Sequence, residues 1–370
     1  MTRKVLFFTA SVSFFLLSSC DKDDATDTPP NYTVPDTYNF SNAQFSEATL
    51  TLNMYQAFTA YLGKGSSRAL SQDTVNYLWN NTNGAFTDEI AANLPNTPAQ
   101  LNAAELNLAT ATQDAASIKA FADSMVAASQ FFNTAGNEGV PGKQGNRLFN
   151  YAGLEFNQAV AKGLMGAMIL SNISKHLDAS VNADNNTVIE GKGTAMEHEW
   201  DLAFGFVGVP TDYDTAKSYE RTDPNRPLAV GGYFGERGKY IKAGGTVYEA
   251  FRKGRAAIAA KDYATRDAAI ATIKEFVEKT FAAACYYYVT HPQAVTERPD
   301  QLHELSEGRG FIVALKYRAA GSKLSGSDYQ KLLDILGVEQ NAYELIGDPS
   351  FTKLKEAQQI LTSTYGQLQP

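Results

Sequence analysis

From Tyr151 to Leu177 the chain reads YAGLEFNQAVAKGLMGAMILSNISKHL, apolar around most of a helical wheel. A helix without a clear polar face needs neighbours on several sides, so this stretch predicts a central helix enclosed by others. Those neighbours are written in the same period. FSEATLTLNMYQAFTAYLGKG puts Phe45, Leu52, Tyr55, Phe58 and Leu62 at helical spacing and stops at Gly63. Thr97 before Pro98 marks another start, and DAASIKAFADSMVAASQFFNTAG runs from Asp114 to Gly136 with Ile118, Phe121, Met125 and Phe132 inward. Thr246 and Glu249 form a capping-box signature, and Ile270, Ile273, Val277, Phe281 and Ala284 share one face of a long helix ending near His291. Further helices are expected at 299–317, 327–337 and 348–364. Period-two alternation between hairpin turns is nearly absent, which argues against a sheet-based domain. The expected fold is all-α: a helical bundle, with enough helices for two packed four-helix-like halves. Two segments break the rhythm, 136–147 and a long irregular covering loop at 209–245.

The first residues carry an address. Arg3 and Lys4 precede VLFFTASVSFFLL, an apolar run too short to span a bilayer, and LSSC follows. Residues 1–19 therefore read as a lipoprotein signal peptide, with Cys20 the lipidated residue that ties the chain to a membrane. The DKDD after Cys20 resembles the export signal of Bacteroidetes surface lipoproteins. The expected location is the outer membrane, lipid-anchored at the cell surface, with the periplasmic side as the alternative. Residues 20–40, rich in Asp, Thr and Pro, read as a flexible tether, leaving 41–370 as a single helical domain. Loss of residues 1–19 takes two cations and moves the net charge from -8 to -10. So acidic a chain lacks the basic footprint of a nucleic-acid binder. Cys285, in FAAACYYYV, reads as a small buried hydrophobe. No feature sets an oligomeric state.

Two polar stripes carry the candidate chemistry. In TAMEHEWDLAFGFVG, Met196, Trp200, Ala203, Phe204 and Val207 form a core face, and Glu197, His198, Asp201 and Gly205 fall beside it. Thr194 and Glu197 make a capping box, which by itself accounts for Glu197. In RPDQLHELSEGRGFIVAL, His303, Glu307, Gly310 and Ala314 line up next to an apolar face, with His303 and Glu307 one turn apart. Were the stripes to face each other, His198, Asp201, His303 and Glu307 would form a metal site, with Glu199 and Glu304 adjacent. Two imidazoles and two carboxylates suit iron or zinc, and bundle interiors hold such sites. The competing reading is a buried polar network in which each histidine pairs with a neighbouring acid.

Enzyme signatures are missing. HELSE opens like the zinc-peptidase HExxH but ends in Glu307, and no nucleophile elbow or phosphate loop occurs. A metal-dependent hydrolase would have to use Glu304 or Glu199 as base. A third role, accessory partner of an outer-membrane receptor, would use an aromatic surface of Tyr213, Tyr219, Tyr233, Phe234 and Tyr240.

Together, PDTYNF, KGLMGAM, EHEWDLAFGFVG and LHELSEGRGFIVAL resemble a Bacteroidetes lipoprotein family, domain-of-unknown-function family 4856. More distantly the chain is similar to the imelysin-like proteins, helical lipoproteins with a GxHxxE signature. Here His198 is followed three places on by Asp201, and His303 by Ser306 with Glu307 one place further. The resemblance implies surface location and iron-linked binding, and it implies no reaction.

Overall fold

The computed structural model describes residues 31–220, 222–223 and 225–369. The expected signal peptide and the expected lipidation site at Cys20 lie outside the described residues. An irregular strap, 32–45, leads into α1 (Ser46–Gly63), followed by α2 (Gln72–Asn80), the short α3 (Pro98–Ala103) and α4 (Leu108–Ala111), and α5 (Ala115–Ser129). A hairpin of β1 (Gly142–Gln144) and β2 (Arg147–Phe149) precedes α6 (Phe156–Leu164), a π-helical turn (Met165–Leu170) and α7 (Ser171–Asn182). A second hairpin, β3 (Val188–Ile189) with β4 (Gly193–Thr194), feeds α8 (Ala195–Val207). Then come α9 (Ala229–Glu236), α10 (Ala243–Ala259), α11 (Tyr263–Thr290) and α12 (Arg298–Leu315). The chain closes with α13 (Gly326–Leu336), α14 (Ala342–Gly347) and α15 (Thr352–Tyr365). The protein is an all-α bundle; the only sheets among the described residues are the two small hairpins.

One continuous core runs through it. α6 lies along α12 and α5, α11 lies between α10 and α12, and α8 packs on α7, α1 and α10. The α6–α12 contact is backbone to backbone. A Cβ on Gly166 would stand 2.3 Å from Ala314 Cα, and one on Gly310 would stand 2.6 Å from Lys162 Cβ. Only glycine permits that approach.

Several expected boundaries move. The central helix is present, but at Gly166 it widens into the π turn, a device that leaves an i→i−4 ladder locally broken. α5 ends at Ser129, well short of Gly136, where Ser129 Oγ donates to Val126 O (2.6 Å) and accepts the Leu70 N–H (2.9 Å). Residues 136–147 mostly form the β1–β2 hairpin and the turns before it. The 209–245 loop is irregular only to Leu228, because Val230, Tyr233 and Phe234 are buried on α9. α10 starts at Ala243, one turn before the expected cap. Thr246 lies inside it, its hydroxyl bonded back to Lys242 O at 2.9 Å. The long face of Ile270, Ile273, Val277, Phe281 and Ala284 is buried as expected, and Cys285 is buried and free. No helix among the described residues is long and apolar enough to cross a membrane.

Candidate functional site

The capping box of α8 forms as written: the Glu197 N–H donates to Thr194 Oγ1 at 3.2 Å and the Thr194 N–H to Glu197 Oε2 at 2.8 Å. Beyond it, the polar stripe is occupied by protein. Asp201, fully buried, accepts hydrogen bonds from the Tyr38 hydroxyl (2.8 Å), Arg255 Nε (2.9 Å) and the Gln44 N–H (3.3 Å). Arg255 Nη1 donates to Glu197 Oε1 at 2.5 Å. Phe204 stacks on Tyr38 with 3.6 Å between ring centres. A Cβ on Gly205 would stand 2.7 Å from Ala48 Cβ. The motif is thus a clamp that fastens the strap and α10 to α8. Burial pushes the Asp201 carboxyl up, with Arg255 and Tyr38 opposing. Burial and the Asp201 charge push the Tyr38 phenol well above its usual range.

The stripe on α12 faces a different group. His303 Nδ1 is hydrogen-bonded to Glu155 Oε2, and His303 Nε2 lies 3.8 Å from Glu307 Oε1. Glu307 pairs with Lys162 of α6 at 3.1 Å, and Lys162 also donates to Gln158 at 3.2 Å. The Tyr233 and Tyr288 hydroxyls stand 3.4 Å apart beside this pair. Burial pushes the Glu307 carboxyl up, but the Lys162 cation, the Tyr288 hydroxyl and His303 together bring it below the ordinary range. Burial pushes Lys162 down, and Glu307, Tyr55 and Tyr288 together more than offset it. The Ser306 hydroxyl donates to Leu302 O and accepts the Glu155 N–H at 3.0 Å, which fixes the residue just ahead of α6.

Glu155 opens this buried group to a cleft. Arg147 of β2 lies 3.9 Å from its carboxylate and 3.3 Å from Asp300 at the start of α12. A cavity of about 510 Å³ is lined here by Ser66, Gly145, Asn146, Arg147, Glu155, Asn157, Gln158, Glu297, Pro299 and Asp300. Three carboxylates face one guanidinium across it. The family model described as Domain of unknown function (DUF4856) matches residues 35–351. The chain belongs to this family. No curated protein and no solved structure matches the chain. The family match takes in both the strap clamp and the cleft.

The four residues expected to share a metal do not meet. Asp201 belongs to the strap clamp, and His303 and Glu307 belong to the α6–α12 group. Among the described residues no three His, Cys, Asp or Glu side chains gather around a common point. The reason is packing: α8 turns its polar stripe to α10 and the strap, while α12 turns its own to α6. Three of the four histidines pair instead with an acid: His176 with Glu199 and His291 with Glu304, each at 2.7 Å, and His303 with Glu155. His198 is half-buried and its Nδ1 has no protein partner. The two carboxylates considered as bases are therefore held by imidazoles. Of the five aromatics expected on one surface, Tyr213, Tyr233 and Phe234 are buried. Sequence reasoning missed Glu155, Arg147, Lys162, Tyr38 and Arg255. A signal existed for two: Lys162 in AVAKGLMGAM and Arg255 in GRAAIA are cations inside apolar helices, and such residues are seldom fully buried without a counter-charge.

Proposed function

We propose that the chain is a membrane-tethered binding protein, held through a lipid on Cys20, whose cleft receives a small polar ligand of positive charge. Glu155 carries this reading: the residue is only 5% exposed, yet it lines the cleft and its carboxylate is oriented from behind by His303. A buried carboxylate in a concavity, set by a second polar residue, is the arrangement of a ligand site. Glu155, Glu297 and Asp300 outweigh Arg147, so the cleft draws cations and repels anions. An organic amine fits the three carboxylates; since no three ligand side chains among the described residues gather around one point there, an iron or zinc ion would be drawn in with its water shell rather than ligated.

The test uses the mature domain purified without a histidine tag. Elemental analysis reads any metal carried along, and calorimetric titration with zinc, ferrous iron and spermidine reads binding. Glu155→Gln should weaken whichever probe binds by roughly tenfold or more, as expected for loss of a charge-assisted contact. A protein free of metal that gives no heat with any of the three probes overturns the reading.

A further inference from the structure

Several segments end at one pole of the molecule. α11 begins there at Tyr263, and Arg266 on its first turn donates to Val181 O, near the end of α7, at 3.3 Å. The strap is tied to the same place: the Tyr32 hydroxyl donates to Asp262 Oδ2 at 3.0 Å. So is the β3–β4 hairpin, since Asn185 Nδ2 donates to Ile258 O at 2.8 Å and Lys261 Nζ to Asn186 Oδ1 at 2.8 Å. On that hairpin Val188 and Ile189 are 66% and 50% exposed, and Val181 and Tyr263 are also exposed. The cleft is at the other end. α11 is 28 residues long, about 42 Å at 1.5 Å per residue, and its far end leads into Glu297 and Asp300. The α6–α7 helix likewise starts at Glu155 and finishes at this pole.

We infer that this pole rests on a lipid bilayer, with Val188 and Ile189 entering the boundary between headgroups and acyl chains, and that the cleft therefore opens away from the membrane. The inference rests on the reading of Cys20 as the lipid-bearing residue. What selects the occupant is where the tether joins the domain. Twelve links separate Cys20 from Tyr32, at most about 40 Å of chain. The pole fastened to Tyr32 stays within that distance of the bilayer, and the cleft end is a further helix length away. Two exposed aliphatic residues on the strand that leads into the 190–192 turn suit the apolar boundary of a membrane.

The experiment places a tryptophan beside the hairpin turn, Ile189→Trp, in the full lipidated chain on phosphatidylethanolamine–phosphatidylglycerol vesicles doped with bromine-labelled acyl chains. The control, Tyr151→Trp, puts the indole at a residue 63% exposed near the cleft end. The native Trp79 and Trp200 are buried and supply a constant background. The indole at 189 should shift to the blue and lose about half its emission or more, and the one at 151 should keep the emission of a water-exposed ring. Flotation with the vesicles, lost in Cys20→Ala, reports the anchor separately. A chain that floats while both indoles stay unquenched overturns the placement alone. A chain that does not float removes the anchor and the placement with it.

Discussion

Asp201 and Arg309 are the two buried charged residues that differ most in company. Asp201 has a protein donor on each oxygen, and Arg255, its ion-pair partner, is 1% exposed. Removing one member of a buried pair strands the other, at a cost of about 3–5 kcal/mol. Asp201→Ala should lose that much in urea unfolding, and Asp201→Asn, which keeps an acceptor for Tyr38, should lose less. Equal losses would mean that the acceptor kept for Tyr38 contributes nothing and that the whole loss is that of the ion pair. Arg309 is fully buried and none of its three guanidinium nitrogens has a partner among the described residues. Burial alone drags its pKa down to about 10. Arg309→Met should therefore stabilise the protein, by about 1–4 kcal/mol on the precedent of buried ion groups replaced by apolar ones; a lower unfolding midpoint would show that the guanidinium has a partner in solution. At this scale the sequence is legible where partners are local. The Thr97 and Thr194 capping boxes form within a few residues of chain. Tyr38 and Arg255 converge on Asp201 from sites far away in the chain, which no spacing rule can bring together.

At the scale of the element, period and caps located most helices, since burial of a face repeats every three or four residues whatever the partner is. What the pattern does not encode is how closely two helices approach. KGLMGAM and EGRGFIVAL each carry glycines that look dispensable in sequence, and the structure uses Gly166 and Gly310 to bring α6 and α12 into backbone contact. That contact sets Lys162 against Glu307 and Glu155 against His303, so the cleft group depends on it. Gly166→Ala should cost about 1–3 kcal/mol through overpacking. At Gly63, helical with nothing near its Cβ position, the same substitution should be neutral or stabilising by about 0.4–1 kcal/mol. The pair is read by thermal unfolding, and a matching loss at both sites would mean that the close approach is not what Gly166 serves. The shortened irregular loop follows the same logic. Its tyrosines and phenylalanines read as a cover over the bundle, but burial of Val230 and Phe234 draws part of it into α9.

For the whole molecule, acid is the revealing variable, because the chain carries an excess of carboxylates and one of them, Glu307, sits 8% exposed beside a buried lysine. Its pKa is held below the ordinary carboxylate range, chiefly against burial by the Lys162 cation. A depressed carboxyl pKa contributes stability that is complete above the unfolded value of about 4.3 and is lost as pH falls through the folded value. Lys162→Met reverses the sign. Glu307 is then a buried charge whose remaining neighbours are His303 and the Tyr233 and Tyr288 phenols, and its folded pKa rises above the unfolded one. The variant should be less stable than the wild type by about 3–5 kcal/mol near neutral pH. That deficit should shrink between about pH 7 and about pH 5, as the stranded carboxyl takes up a proton. Urea unfolding of both proteins at the two pH values measures the difference. A deficit that stays constant with pH would show that Lys162 acts through its aliphatic stem, packed under Gly310, and that the chain of charges from the core to Glu155 is not coupled. In that case the cleft carboxylate would have only His303 and Arg147 to orient it, and ligand binding there should be indifferent to Lys162 as well.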